Sequence, residues 1–238
     1  MSSVGVLLLL LFISSIPAIA VFIWFRFAHY PFSLPRFSFS LLAGATSFFP
    51  ALFFQNMLAS HKLLFFPAGK WGLIAEIFVR IAFTEELSRL IILTILFFAI
   101  HRLSAVGQPE SNPVISAGTM ASAAGLIAGL GFAILESAVY GASNPGNALL
   151  RTFTAAPLHG ACGFRVGSAV ALFREHRAQA ISRFLTAVGI HGIYNFMLIV
   201  PGLFPSIAAI LIALSALASS VLAIRKGMRG ENTVSAAL

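Results

Sequence analysis

Apolar runs of about 20 residues recur along this chain, and a backbone surrounded by hydrocarbon can close its hydrogen bonds only as a helix or a sealed barrel. Seven such runs can be read, over residues 4–25, 39–59, 72–100, 115–140, 148–173, 181–200 and 204–224. Of 238 residues, 59% are hydrophobic and 9% charged, where a soluble domain has about 25% charged. The expected fold is therefore all-α: a polytopic transmembrane helical bundle of about seven spans. No soluble stretch is long enough to bury a core of its own, so residues 1–238 are expected to form a single membrane domain. The first run ends at Ala18, Ile19 and Ala20, which resembles a signal-peptidase site. No basic residue precedes it and apolar sequence continues to Phe25, which favours a span over a cleaved signal.

Fifteen Lys and Arg against seven Glu and no Asp give a formal charge of +8. The charges lie mostly between the apolar runs, where basic residues hold loops against anionic lipid heads, so membrane lipids and not nucleic acid are the expected partner of this charge. With the N-terminus outside, the inner loops and tail hold Arg26, Arg36, Arg102, Arg174, Arg177, Arg183, Arg225, Lys226 and Arg229, and the outer loops only Lys62 and Lys70. That bias predicts a multi-pass protein, of the plasma membrane, with a cytoplasmic C-terminus. The lone cysteine, Cys162, allows no intrachain disulfide and reads as a small packing residue.

Ionisable residues inside the apolar runs are the second constraint, since each costs about 2.5 to 3.5 kcal/mol at bilayer depth and must be matched by a partner or a function. The third run carries Glu76, Arg80, Glu85, Glu86 and Arg89; the fourth, Glu136; the fifth, Arg151, His159 and Arg165; the sixth, His191 and Asn195. The first, second and seventh carry almost none. This partition predicts a polar chamber between spans three to six, inside a lipid-facing shell. Arg89 is three and four residues beyond Glu86 and Glu85, so it can hold either carboxylate ionised and leave the other in a different protonation state. Two carboxyls with divided roles suit acid–base chemistry. His191 and Asn195 project from one helix face, so the amide can orient the imidazole or donate to an oxyanion. His159 and His191 fall near mid-span, level with the two Glu. Bland readings fit elsewhere: Glu76 and Arg80 as a structural ion pair, Arg151 and Arg165 as snorkelling side chains, the Phe-rich stretches as lipid contact, and the small residues of 116–131 as a close helix contact.

Four segments carry a family resemblance. Phe83-Thr84-Glu85-Glu86-Leu87-Ser88-Arg89, Gly131 to Glu136 with Tyr140, Arg151 to His159, and His191-Gly192-Ile193-Tyr194-Asn195 together resemble the motifs of the PrsW intramembrane proteases, which are related to the CAAX prenyl protease and bacteriocin-immunity group. Arg89 stands where that family usually has Lys, and Ser137 where it usually has Asn. The resemblance implies hydrolysis of peptide bonds in single-span or membrane-anchored protein substrates. Glu85 or Glu86 would activate water, with His159 and His191 positioning it or stabilising the oxyanion. Arg89 would set the charge of the Glu pair, Asn195 would orient His191, and Glu136 would anchor Arg151. Two His and one Glu also form a catalytic zinc set, here His159, His191 and Glu86. The H-E-x-x-H signature is absent, so carboxylate chemistry stands first and zinc second. Two other classes stay open: a proton relay or transporter, and a non-catalytic scaffold or immunity-like partner whose polar core only fixes packing. Oligomeric state is not legible.

Overall fold

The structure, a computed structural model, describes residues 3–60, 69–104 and 116–229. Lys62 and His61 lie outside the described residues, as do the side chains of His101 and Arg102. Seven helices and no strand occur among the described residues: α1 (Ser3–Phe27), α2 (Leu34–Ser60), α3 (Lys70–Ala75, Glu76–Phe83 and Thr84–Ser104 in unbroken succession), α4 (Ala117–Ser143), α5 (Pro145–Leu172), α6 (Arg177–Ile199) and α7 (Leu203–Met228). Each coincides with one apolar run. Four of them, α1, α2, α4 and α7, are long and apolar enough to cross a membrane.

Polarity is arranged inside out. Glu86, Arg89, His159 and His191 are buried, while Phe12, Phe49, Phe53, Phe153 and Leu211 stand exposed. In water such a surface would aggregate; against lipid it costs nothing, and the charges turn inward because hydrocarbon cannot solvate them.

Two connections are tighter than the sequence suggests. Helix α2 starts earlier than the apolar run because Ser33 Oγ accepts from the Arg36 amide at 3.4 Å, and Pro35 suits the first helical turn. Just before it, Phe25, Tyr30 and Phe32 stack edge to face with centroids 5.5 Å apart. Between α4 and α5 the loop shrinks to Asn144. Its side chain accepts from the Gly146 amide at 3.0 Å, and Pro145 needs no hydrogen bond at the first helical position.

Helix α4 is the hub: 72% of its most apolar stretch is buried, against 17% in α1. Its contact with α5 is made by backbones. Gly125 and Gly129 on α4 face Gly163 and Gly167 on α5. A Cβ at Gly125 would lie 2.2 Å from the Gly163 carbonyl oxygen, and one at Gly129 only 1.9 Å from that of His159. On the other side of α4, a Cβ at Gly44 of α2 would lie 1.7 Å from the Ala128 carbonyl oxygen. Small residues are what allow helices to associate in lipid, where no hydrophobic drive brings them together. The small-residue run read from the sequence thus becomes the seam of the bundle, and it sets the distance of His159 from α4.

Within α3, Glu76–Phe83 is π-helical. Such widened turns disturb the regular hydrogen-bond ladder and recur at functional sites. Here the Thr84 hydroxyl closes the section, donating to the carbonyls of Arg80 at 2.6 Å and Ile81 at 3.1 Å, directly before Glu85 and Glu86. Phe78 of this section packs against Gly192 of α6, where a Cβ would meet its ring at 2.3 Å.

The two arginines read as snorkelling do not snorkel. Arg165 folds back to donate to the Ala161 carbonyl at 2.8 Å, and to Ser220 and Ser219 of α7 at 3.2 and 2.9 Å. Arg151 turns to Glu136 of α4. Glu76 and Arg80 form the expected ion pair, partly exposed.

Gly129→Val is expected to destabilise the protein by about 3 kcal/mol, the upper range of overpacking, lowering the thermal midpoint in detergent. Gly189→Ala, where a Cβ meets nothing within 4 Å, is expected to be neutral or to stabilise by up to about 1 kcal/mol, because alanine is the better helix former.

Candidate active site

Seven of the polar residues singled out on α3, α4, α5 and α6 meet: Glu85, Glu86, Arg89, Glu136, Arg151, His159 and His191. Glu86 has both oxygens committed: Oε2 pairs with the Arg89 guanidinium one turn on, and Oε1 lies 2.8 Å from His191 Nδ1. Arg89 has no exposed surface. Its Cζ sits 4.8 Å above the Phe132 ring, and its Nη2 lies 3.4 Å from His159 Nδ1. The other nitrogen of that ring, Nε2, is 2.7 Å from Glu136 Oε2, and Glu136 also pairs with Arg151. The Arg151 guanidinium in turn rests 4.3 Å over Tyr140. The two imidazoles stand edge to face, 5.0 Å apart.

These contacts assign the protons. A guanidinium only donates, so His159 Nδ1 is the acceptor and Nε2–H points to Glu136. A carboxylate accepts, so His191 carries hydrogen on Nδ1 and leaves Nε2 facing inward. Glu85 supplies the third inward group. Its Oε1 accepts a hydrogen bond from Gln55 Nε2 at 3.0 Å, while its buried Oε2 has no hydrogen-bond partner among the described residues. That oxygen lies 3.6 Å from His191 Nε2. Two buried acceptors facing each other at this distance need a proton or a cation between them.

One donor atom from each of Glu85, His159 and His191 falls within a 4.8 Å cluster, and all three residues are buried. Two imidazoles and one carboxylate are the donor set of a catalytic zinc site with an open position. Each imidazole also gives its outward N–H to a carboxylate, the arrangement that fixes a metal-binding tautomer. The orphaned Glu85 Oε2 and the two committed His tautomers therefore fit a divalent cation. Against the metal set read from the sequence, the converging carboxylate is Glu85 and not Glu86, since Arg89 and His191 already claim both oxygens of Glu86.

The sequence spacing assigns Asn195 to the orientation of His191. Asn195 is half-buried on α6, and the polar neighbours of His191 are Glu86 and Glu85 instead. Glu136 does more than anchor Arg151, because it also holds His159. Ser137 is buried with its hydroxyl unpartnered. Gln55 is absent from the residues that the sequence singles out. It belongs to α2, an element read as lipid-facing shell, and the available signal is an amide pair, Gln55-Asn56, late in an otherwise apolar run.

A family model described as PrsW family intramembrane metalloprotease matches residues 34–222. No curated protein and no solved structure gives a significant match.

Arg89→Met is expected to cost about 3 to 5 kcal/mol, because it leaves the Glu86 charge buried and unpaired. Arg80→Met, at a partly exposed pair, is expected to cost less than about 1 kcal/mol. Denaturant titration of the two variants in the same detergent checks the difference.

Proposed function

Because the chain belongs to the PrsW family of intramembrane metalloproteases, we propose that it is an endopeptidase cutting peptide bonds of single-span or membrane-anchored proteins within the bilayer. The observation that carries this reading is the convergence of Glu85, His159 and His191 from α3, α5 and α6 into one buried cluster. The chain is a hydrolase and an integral membrane protein by its family and its apolar helices.

Glu85, His159 Nδ1 and His191 Nε2 would hold a divalent cation, zinc by the chemistry of the donors. When bound, such an ion supplies Lewis acidity toward a carbonyl oxygen and toward water. The chain's own residues do the rest. Glu86 and Glu136 keep the N–H of each imidazole pointed outward, so both rings present lone pairs to the centre. Arg89 neutralises Glu86 and so prevents two adjacent carboxylates from repelling each other in a dry site. Where Glu85 Oε2 is not holding an ion, Glu85 is the carboxylate that meets the reacting water, since Glu86 has no free oxygen. It takes a proton from the water as oxygen attacks the carbonyl carbon. It returns that proton to the nitrogen as the C–N bond breaks. Arg151, resting over Tyr140, holds Glu136, and Asn195 lies one turn beyond His191 on α6.

One observation favours a metal-free variant of this reading. Arg89 Nη2 already faces His159 Nδ1 at 3.4 Å, so a permanent cation stands where an ion would approach. On that variant Glu85 alone activates water, the carboxylate chemistry that the sequence puts first.

Seven crossings, one membrane domain, an outside N-terminus and a cytoplasmic C-terminus fit the packing. Trp24 at the end of α1 lies 5.9 Å from Arg225 near the end of α7. Thr119 at the start of α4 meets Gly227, and Ser122 bonds Ser168 of α5 at 2.7 Å. Strictly alternating helices bring those ends to one face, and Arg26, Arg225 and Lys226 belong to it. The polar chamber between spans three to six then lies toward the opposite side.

Purified protein in liposomes, given tagged single-span substrates, is expected to cleave them, and Glu85→Ala/Glu86→Ala to lose at least about 10²-fold in rate. Equal cleavage by the double variant sinks the assignment. A chelator that abolishes cleavage, with recovery on adding zinc, supports the cation reading; an unchanged rate supports the metal-free variant.

A further inference from the structure

Gln55 belongs to none of the four motif segments. It lies on α2, half-buried, in a helix whose neighbouring positions are Leu52, Phe53, Phe54 and Leu58. Its amide nitrogen donates to Glu85 Oε1 at 3.0 Å.

A glutamate carboxylate turns freely about its last torsion unless something holds one oxygen. Glu86 is held at both oxygens, and Glu136 by His159 and Arg151. Among the described residues Glu85 accepts a hydrogen bond from Gln55, and its other oxygen has no hydrogen-bond partner. The bond fixes Oε1 outward, toward α2, and thereby aims the unpartnered Oε2 at His191 Nε2, 3.6 Å away. The chemistry of the donor matters too. An amide offers a hydrogen bond without formal charge, so it leaves Glu85 an acceptor for a proton or cation. A Lys or Arg at that position would neutralise the carboxylate, as Arg89 does for Glu86.

We propose that Gln55 is a positioning residue for Glu85: it fixes the carboxylate so that Oε2 faces the two imidazoles, and it makes α2 part of the active site. This deepens the protease reading and rests on it for the role of Glu85. The bond between the two side chains is independent of that reading.

Gln55→Met keeps the length and bulk of the side chain and removes the donor. In the liposome assay it is expected to lower kcat by about ten- to 100-fold, the usual effect of losing the partner of a site carboxylate, with KM within about twofold. Zinc affinity, read by calorimetric titration of the metal-stripped protein in detergent, is expected to weaken by a similar factor. A residue that only filled space would leave both as in wild type. The second measurement is a cycle with Glu85→Met, which keeps the length of the side chain and removes the acceptor, read as shifts in thermal midpoint. Loss of the Gln55–Glu85 bond makes the two effects non-additive, so that Gln55→Met adds little once the carboxylate is gone. Equal effects of Gln55→Met in both backgrounds overturn the proposal. Unchanged kcat and zinc affinity in a folded Gln55→Met protein overturn it as well. If wild type neither cleaves nor binds zinc, the protease reading fails while the thermal cycle still reports the bond.

Discussion

The carbonyl oxygen of His159 occupies space that any side chain on Gly129 would need, and the rest of the arrangement depends on that contact. In lipid, helices gain little by hiding apolar surface from one another, so their association depends on how closely backbones can approach. Gly125, Gly129, Gly163 and Gly167 allow backbone-to-backbone contact at the centre of this bundle. Had α4 and α5 been separated by ordinary side chains, Glu136 on one and His159 on the other would stand too far apart for a direct hydrogen bond. The seam is therefore both the packing solution and the ruler that sets the geometry of the polar layer.

A chain of charges and imidazoles runs through that layer: Arg151, Glu136, His159, Arg89, Glu86, His191. Every link crosses between helices or spans one helical turn, and every member but the imidazoles is charged in its pair. Such a network is costly to bury and costly to break. It serves specificity by making one relative rotation of α3, α4, α5 and α6 far better than its neighbours. Glu85 is the exception, facing His191 at 3.6 Å and accepting its hydrogen bond from a neutral donor outside the network. A rigid frame with one lightly tethered carboxylate is the physical basis for dividing orienting roles from reacting ones.

The helices are legible because apolar length is read directly from the sequence, and the in-span Glu, His and Arg are legible because each is costly in lipid. Adjacent carboxylates are harder. Glu85 and Glu86 differ by one position, about 100° around a helix, and the reach of Arg89 covers both on sequence spacing. Only the π-helical section before Thr84 and the facing His191 decide which one Arg89 takes. Gln55 is illegible for another reason: a single amide is cheap enough in lipid to need no explanation, and its partner is on another helix. Arg165 is misread because proximity to a span end is visible in sequence, while Ser219 across a helix gap is not; for Arg151 the sequence offers both a span end and Glu136, and the pair with Glu136 is the one that forms.

The one-residue turn at Asn144 bears on how the chain gets into a membrane at all. Glu136 and Arg151 lie almost equally far before and after it, so a hairpin closed at Asn144 brings them level and in contact. Helix α4 alone would have to carry a bare carboxylate into hydrocarbon, and α5 a bare guanidinium. Inserted together, Glu136 and Arg151 enter as a neutral pair with His159 already engaged, and Arg165, whose serine partners are on α7, is the one charge left without a carboxylate. The pair thus makes α4–α5 the natural unit of biogenesis, around which the remaining spans assemble.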